Sequence, residues 1–225
     1  MKCFLTYRSL KLTGVGLLFS FTLCAQHRQD IDIQEWAKGI VTLTTGDVLE
    51  GKITYYRTQD IISVSNEDGT LSTLSPVNVA QFEVSDELSN RSHIFKSIFW
   101  DQGKDYTDFK KPTFFEQLNQ GKATLLMRES YNKKTVDPYL ASSMDGNTYD
   151  PLGYPLSGEY YDQIKPKFYI LQPDGEIVKL TNIRKDFLSY CGKHASVVKA
   201  YARKQKLSFD LPQEFMAIVN YYNNL

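Results

Sequence analysis

Between Gly39 and Val84 short β-forming runs follow one another, each cut off by turn residues. Gly39 to Thr44 and Val48 to Tyr56 flank Thr45-Gly46-Asp47, which predicts a tight hairpin because Gly accepts the backbone twist such a connection needs. Ile61 to Ser65 and Thr70 to Leu74 flank Asn66-Glu67-Asp68-Gly69 and predict a second hairpin, and Val77 to Val84 reads as a fifth strand. In the second strand Val48, Ile53 and Tyr55 do not keep one parity, and Gly51 sits where the alternation breaks. A bulge or sharp bend is expected there, letting one long strand serve two sides of a small barrel.

Past Asp86 the pattern changes. Ser92 to Trp100 and Ala123 to Tyr131 read as strands, and Phe168 to Leu171 with Ile177 to Leu180 form a hairpin about Pro173-Asp174-Gly175. Thr113-Phe114-Phe115-Glu116 matches a capping box, predicting a short helix that Gly121 ends. Three helices follow. Asn182 to Cys191 puts Ile183, Phe187 and Cys191 on one face, and His194 to Lys206 buries Val197, Val198, Tyr201 and Ala202. Asp210-Leu211-Pro212-Gln213 opens the last, with a stripe of Phe215, Ile218, Val219 and Tyr222. The expected fold class is α+β: a small bent β-meander or barrel-like module over 36–86, then mixed strands and a helical C-terminus over 92–225, with an irregular loop at 132–164.

The N-terminus has the order of a secretory signal. Lys2, Arg8 and Lys11 precede an apolar stretch from Val15 to Leu23, and Cys24-Ala25-Gln26 supplies a small-residue exit. Residues 1–25 are therefore expected to direct export, with cleavage after Ala25 and a periplasmic or extracellular destination. A lipoprotein signal ending at Cys24 competes less well, because Leu23 stands where such signals carry a small residue. Cleavage would remove three of the 26 Lys and Arg and none of the 26 Asp and Glu, leaving a mildly acidic protein. It would also remove Cys3 and Cys24, so Cys191 would have no partner for an intrachain disulfide and the fold must be held by its core. No apolar run after residue 25 reaches the about 20 residues of a membrane-spanning helix.

Signals for catalysis are thin. Gly46-Asp47-Val48-Leu49-Glu50-Gly51-Lys52-Ile53 follows phosphate-loop spacing until its last position, where Ile53 replaces the Ser or Thr that would hold magnesium, and it runs through a hairpin rather than into a helix. Cys191-Gly192-Lys193-His194 offers at most half a zinc site. No Gly-x-Ser-x-Gly or His-Glu-x-x-His is present, so no catalytic residue, cofactor or metal is assigned. A glycan-processing hydrolase with motifless carboxylates is the alternative that this leaves.

Two features read first as a plain surface insertion and a solvated helix face, and second as binding surfaces. The 132–164 stretch carries Tyr149, Tyr154, Tyr160 and Tyr161, whose rings suit sugar or protein recognition. Lys199, Arg203 and Lys206 are expected to lie on one helical stripe, a docking face for an anionic envelope component or an acidic partner.

The pattern apolar-x-Leu-x-x-Gly-Asp-x-Leu-x-Gly-x-Ile resembles the first motif of Sm-like and other small five-stranded barrels over about 45 residues. Sm proteins bind RNA, but export and an acidic mature charge argue against nucleic acid here. The whole layout, with its signal ending in Ala-Gln, Phe-Phe-Glu-x-Leu-x-x-Gly segment and helical end closing on Tyr-Asn, resembles uncharacterised exported proteins of Bacteroidota type, a resemblance that implies no known activity. The expectation is an exported, non-enzymatic binding or interaction protein of the cell envelope, its partner an envelope protein, glycan or anionic surface.

Overall fold

The computed structural model describes residues 32–66, 69–86, 91–103, 109–136 and 158–225, with the backbone alone for 131–136 and 158–163. Ten antiparallel strands form a single open sheet. They are β1 (Ile33–Leu43), β2 (Val48–Tyr56), β3 (Ile61–Ser65), β4 (Leu71–Leu74), β5 (Val79–Asp86), β6 (Arg91–Trp100), β7 (Lys111–Gln117), β8 (Thr124–Val136), β9 (Gly158–Leu171) and β10 (Ile177–Leu180). Their order across the sheet is β10-β9-β8-β7-β6-β5-β1-β2-β3-β4. Three helices complete the chain: α1 (Ile183–Cys191), α2 (Ala195–Lys204) and α3 (Pro212–Asn223).

The α+β class holds, and the five strands of the N-terminal segment are continuous with the rest of the sheet rather than closed into a barrel. The hairpin at Thr45-Gly46-Asp47 forms, with Gly46 at a φ of 95°. The bulge falls in β1, between Trp36 and Gly39, and not in β2. Leu49, Gly51, Ile53 and Tyr55 keep one inward parity, and Val48 simply faces out. Gly51 is needed for a different reason: a Cβ there would stand 2.2 Å from the Ser65 carbonyl oxygen across the β2–β3 pair.

Two expectations about the middle of the chain are corrected. Thr113-Phe114-Phe115-Glu116 is strand β7, not a capped helix, because all four side chains are buried and Phe114 and Phe115 enter different cores on opposite sheet faces. A strand buried on both faces loses its polar alternation, and the short run then imitates a helix start. The 132–164 loop is shorter than expected: its flanks extend β8 to Val136 and start β9 at Gly158, paired from Asn132↔Gln163 to Val136↔Gly158.

Register fixes where the cores lie. Residues directly opposite one another share a face, and one such row runs Leu49, Val41, Phe82, Phe95, Glu116, Met127, Phe168, Leu180 across eight strands from β2 to β10. At one end of this face Trp36, Ile53, Tyr55, Phe82, Phe95 and Phe114 make a core. At the other, Leu125, Phe168 and Ile170 are covered by Phe187 and Cys191 of α1, Val198 and Ala202 of α2, and Phe215, Ile218 and Val219 of α3. Helix α2 stops at Lys204, and Val197 is exposed rather than buried. Helix α3 is pinned at its far end, where Asn223 donates to the Ala123 carbonyl and accepts from the Ala123 amide, both at 2.9 Å.

Candidate functional site

Glu116 is the one charged side chain in the eight-strand row, and it is 8% exposed. A buried carboxylate is tolerable only with bonded partners. His93, on the adjacent strand β6, places Nδ1 2.6 Å from Glu116 Oε1. That bond, followed by the coulombic pull of the carboxylate, raises the His93 pKa above its ordinary 6.5 despite the opposing cost of burial.

The sheet itself opens beside this pair. The β7–β8 ladder contains Glu116↔Met127 and Gln117↔Leu126 and stops there. The turn between β2 and β3 reaches into the opening: Asp60 Oδ2 accepts from the Phe114 amide at 3.3 Å, where a longer ladder would have paired it. Asp60 Oδ1 accepts from the Tyr55 hydroxyl at 2.9 Å and from Arg128 Nη2 at 3.4 Å. Asp60 holds a φ of 56°, a conformation that Asp tolerates better than most residues and that here lets its carboxylate turn inward. Burial first, then the Asp60 charge, pushes the Tyr55 hydroxyl far above its ordinary range, so it remains a donor. Arg57, at the end of β2, reaches Glu129 with Nε at 2.5 Å and Gln34 with Nη2 at 2.5 Å.

Between these groups lies a cavity of about 240 Å³. Tyr55, Phe95, Phe114, Leu118, Met127 and Pro212 give it apolar walls, and Arg57, Arg91, His93, Glu116, Arg128 and Glu129 give it polar ones. Pockets for drug-sized molecules are usually about 300–1,000 Å³, so this one suits a small ligand or a single side chain of a partner. Its three nearby carboxylates are all engaged: Glu116 with His93, Glu129 with Arg57, and Asp60 with Tyr55, Phe114 and Arg128. The cavity therefore holds paired charges rather than two free carboxylates facing across a cleft.

Lys199, Arg203 and Lys206, the described members of the set singled out from sequence, do not line this cavity. Lys199 and Arg203 are exposed on α2, one turn apart, and share a groove with Arg184 of α1 and Asp210. Lys206 lies beyond the helix end in a left-handed conformation with a φ of 56°, so it does not extend their helical stripe. Tyr160 and Tyr161 lie in the backbone of β9, opposite Lys134 and Lys133, while Tyr149 and Tyr154 lie outside the described residues, as do residues 1–25, the segment expected to direct export. Cys191 is buried as its helix face requires, and burial pushes its thiol up to about 11. Among the described residues no group of three or more His, Cys, Asp and Glu side chains is disposed to hold a metal, and no helix is long and apolar enough to cross a membrane.

Sequence reasoning missed the site because its members come from β1, β2, β6, β7, β8 and α3 and from the residues just past β2 and β7, each contributing one to three residues. The available signal was Glu116 following Phe114-Phe115, an acid at a position that a strand reading would have placed in the core. Comparison with family models, with characterised proteins and with solved structures finds no match to this chain.

Proposed function

We propose that this is an exported, non-enzymatic binding protein of the cell envelope, with the cavity at the β7–β8 opening as its ligand site. The observation that carries the reading is the pair of buried Glu116, set into an otherwise apolar row, and half-buried His93 on the neighbouring strand, facing a cavity with further arginines. A sheet built for stability alone gains little from such a pair, since well-packed apolar residues serve at least as well. Engagement of every nearby carboxylate favours recognition over the glycan-hydrolysing alternative, which needs a carboxyl group poised to give up a proton and another left to attack or activate water. The exposed Lys199 and Arg203 would add contact with an anionic envelope surface, and Tyr160 and Tyr161 would extend recognition along β9.

Nuclear magnetic resonance with a fragment collection tests the site. Ligands should shift resonances of β6, β7 and β8, and Leu118→Trp, which fills the cavity, should abolish those shifts while the fold persists. Absence of any ligand there, or binding indifferent to Leu118→Trp, would contradict the proposal. Cell fractionation tests the location: the protein should be found in the envelope or medium beginning at Gln26, whereas cytosolic protein with an intact N-terminus would count against export.

A further inference from the structure

We infer that the cavity takes a small amphipathic carboxylate, its anion held by Arg91 and by Nε2 of His93, its apolar part against Phe95, Leu118 and Met127. This rests on the reading of the cavity as a ligand site and specifies what enters it. Arg91 and His93 are two residues apart on β6, so their side chains leave the same face of the strand, and both line the cavity.

Around the cavity Glu116, Glu129 and Asp60 are each bonded to a cation or a donor already described. Arg91, exposed at the rim, has no ion-pair partner among the described residues. His93 uses Nδ1 on Glu116, and its Nε2 has no partner among the described residues. With the ring charged, both nitrogens carry protons, so Nε2 is a donor on the strand face it shares with Arg91. Asp86 stands opposite Arg91 on β5, with no ion pair between the two among the described residues, and two donors on one strand face, one of them a planar fork, match a carboxylate. A cationic ligand would instead meet carboxylates already committed and an excess of like charge. The apolar walls then exclude a bare anion as the preferred occupant, because it would leave Phe95, Leu118 and Met127 facing water.

Four probes of related shape separate these requirements: hexanoate, 1-hexanol, hexylamine and inorganic phosphate, each titrated while the methyl resonance of Met127 is followed. Hexanoate should saturate and shift Met127, with the other three at least about tenfold weaker. Arg91→Ala should weaken hexanoate about tenfold, which corresponds to about 1.4 kcal/mol, Arg91→Lys should restore part of the loss, and Leu118→Trp should abolish binding. Hexanol or phosphate binding as tightly as hexanoate would overturn the carboxylate assignment and leave the cavity a ligand site. Hexanoate binding untouched by Arg91→Ala and Leu118→Trp would also overturn it. Failure of all four probes to move Met127 would do the same, and the cavity reading itself would fall only if the wider fragment collection also found nothing there.

Discussion

His93 and Glu116 are joined by a 2.6 Å bond in the middle of a sheet face that is otherwise apolar along its register from β2 to β10. Phe95 stands opposite Glu116 on one side and Met127 on the other, so the carboxylate has hydrocarbon for both cross-strand neighbours. The pair sits where the two cores of this face meet and where the β7–β8 ladder ends.

This bond makes stability depend on pH with a definite sign. The His93 pKa is raised in the folded protein by Glu116, with Asp86 acting in the same direction and burial and Arg91 against it. A raised value means that the folded state holds the proton more tightly than the unfolded chain. The contribution is therefore fully present below about 6.5, the unfolded value, and is lost as pH rises through the folded value. The stability advantage of wild type over His93→Gln, read from urea unfolding, should shrink above that point. A His93 ring that titrates below 6.5 in the native protein would contradict the cause assigned here.

Gly51→Ala should be strongly destabilising. The new methyl group would meet the Ser65 carbonyl oxygen at 2.2 Å, and backbone on a paired strand has little room to yield. A loss of about 2 kcal/mol or more is expected by urea unfolding. A variant as stable as wild type would show that β2 and β3 can separate at this point.

Asn223→Ala removes both bonds that Asn223 makes with the Ala123 backbone. The amide and carbonyl of Ala123 would be left without these partners beside a fully buried side chain, at a cost of about 1–3 kcal/mol. The same change should loosen the hold of α3 on the connection between β7 and β8. Hydrogen exchange should show faster exchange at the Ala123 amide, and unchanged protection there would mean that packing alone seats the helix.

Cys191 should resist thiol reagents in the native protein. It is 3% exposed, and burial pushes its thiol up to about 11, so little thiolate exists near neutral pH. Labelling should require denaturant. Fast modification of the folded protein would contradict the packing of α1.

The parts of this fold that were legible in the sequence are those whose signals are local. Gly46, Gly69 and Gly175 mark hairpin turns and take positive φ, and Phe187 with Cys191 and Phe215 with Ile218 and Val219 reveal helix faces that are buried. Strand β7 is not legible as a strand because burial on both faces erases its alternation, so that Thr113 and Glu116 imitate a helix cap. The displaced bulge has a similar origin: Val48 looked like part of the inward set, but parity is decided by what each face meets, and only pairing reveals that. The site was illegible for a stronger reason, since Arg57, His93, Glu116 and Arg128 are brought together by sheet order and by a ladder that stops early, neither of which has a local trace.

On the proposed function the His93–Glu116 pair and its cavity serve a ligand rather than the fold. Urea unfolding of the double variant His93→Leu, Glu116→Leu, with and without a ligand identified at the cavity, tests it most directly. Completing the apolar row should leave the unliganded protein as stable as wild type, or more stable by about 1–3 kcal/mol. Ligand at a hundredfold excess over its dissociation constant should stabilise wild type by about 2.7 kcal/mol and the double variant not at all. A double variant that loses several kcal/mol yet is stabilised by the ligand as wild type is would show that the pair braces the sheet and that the ligand binds elsewhere.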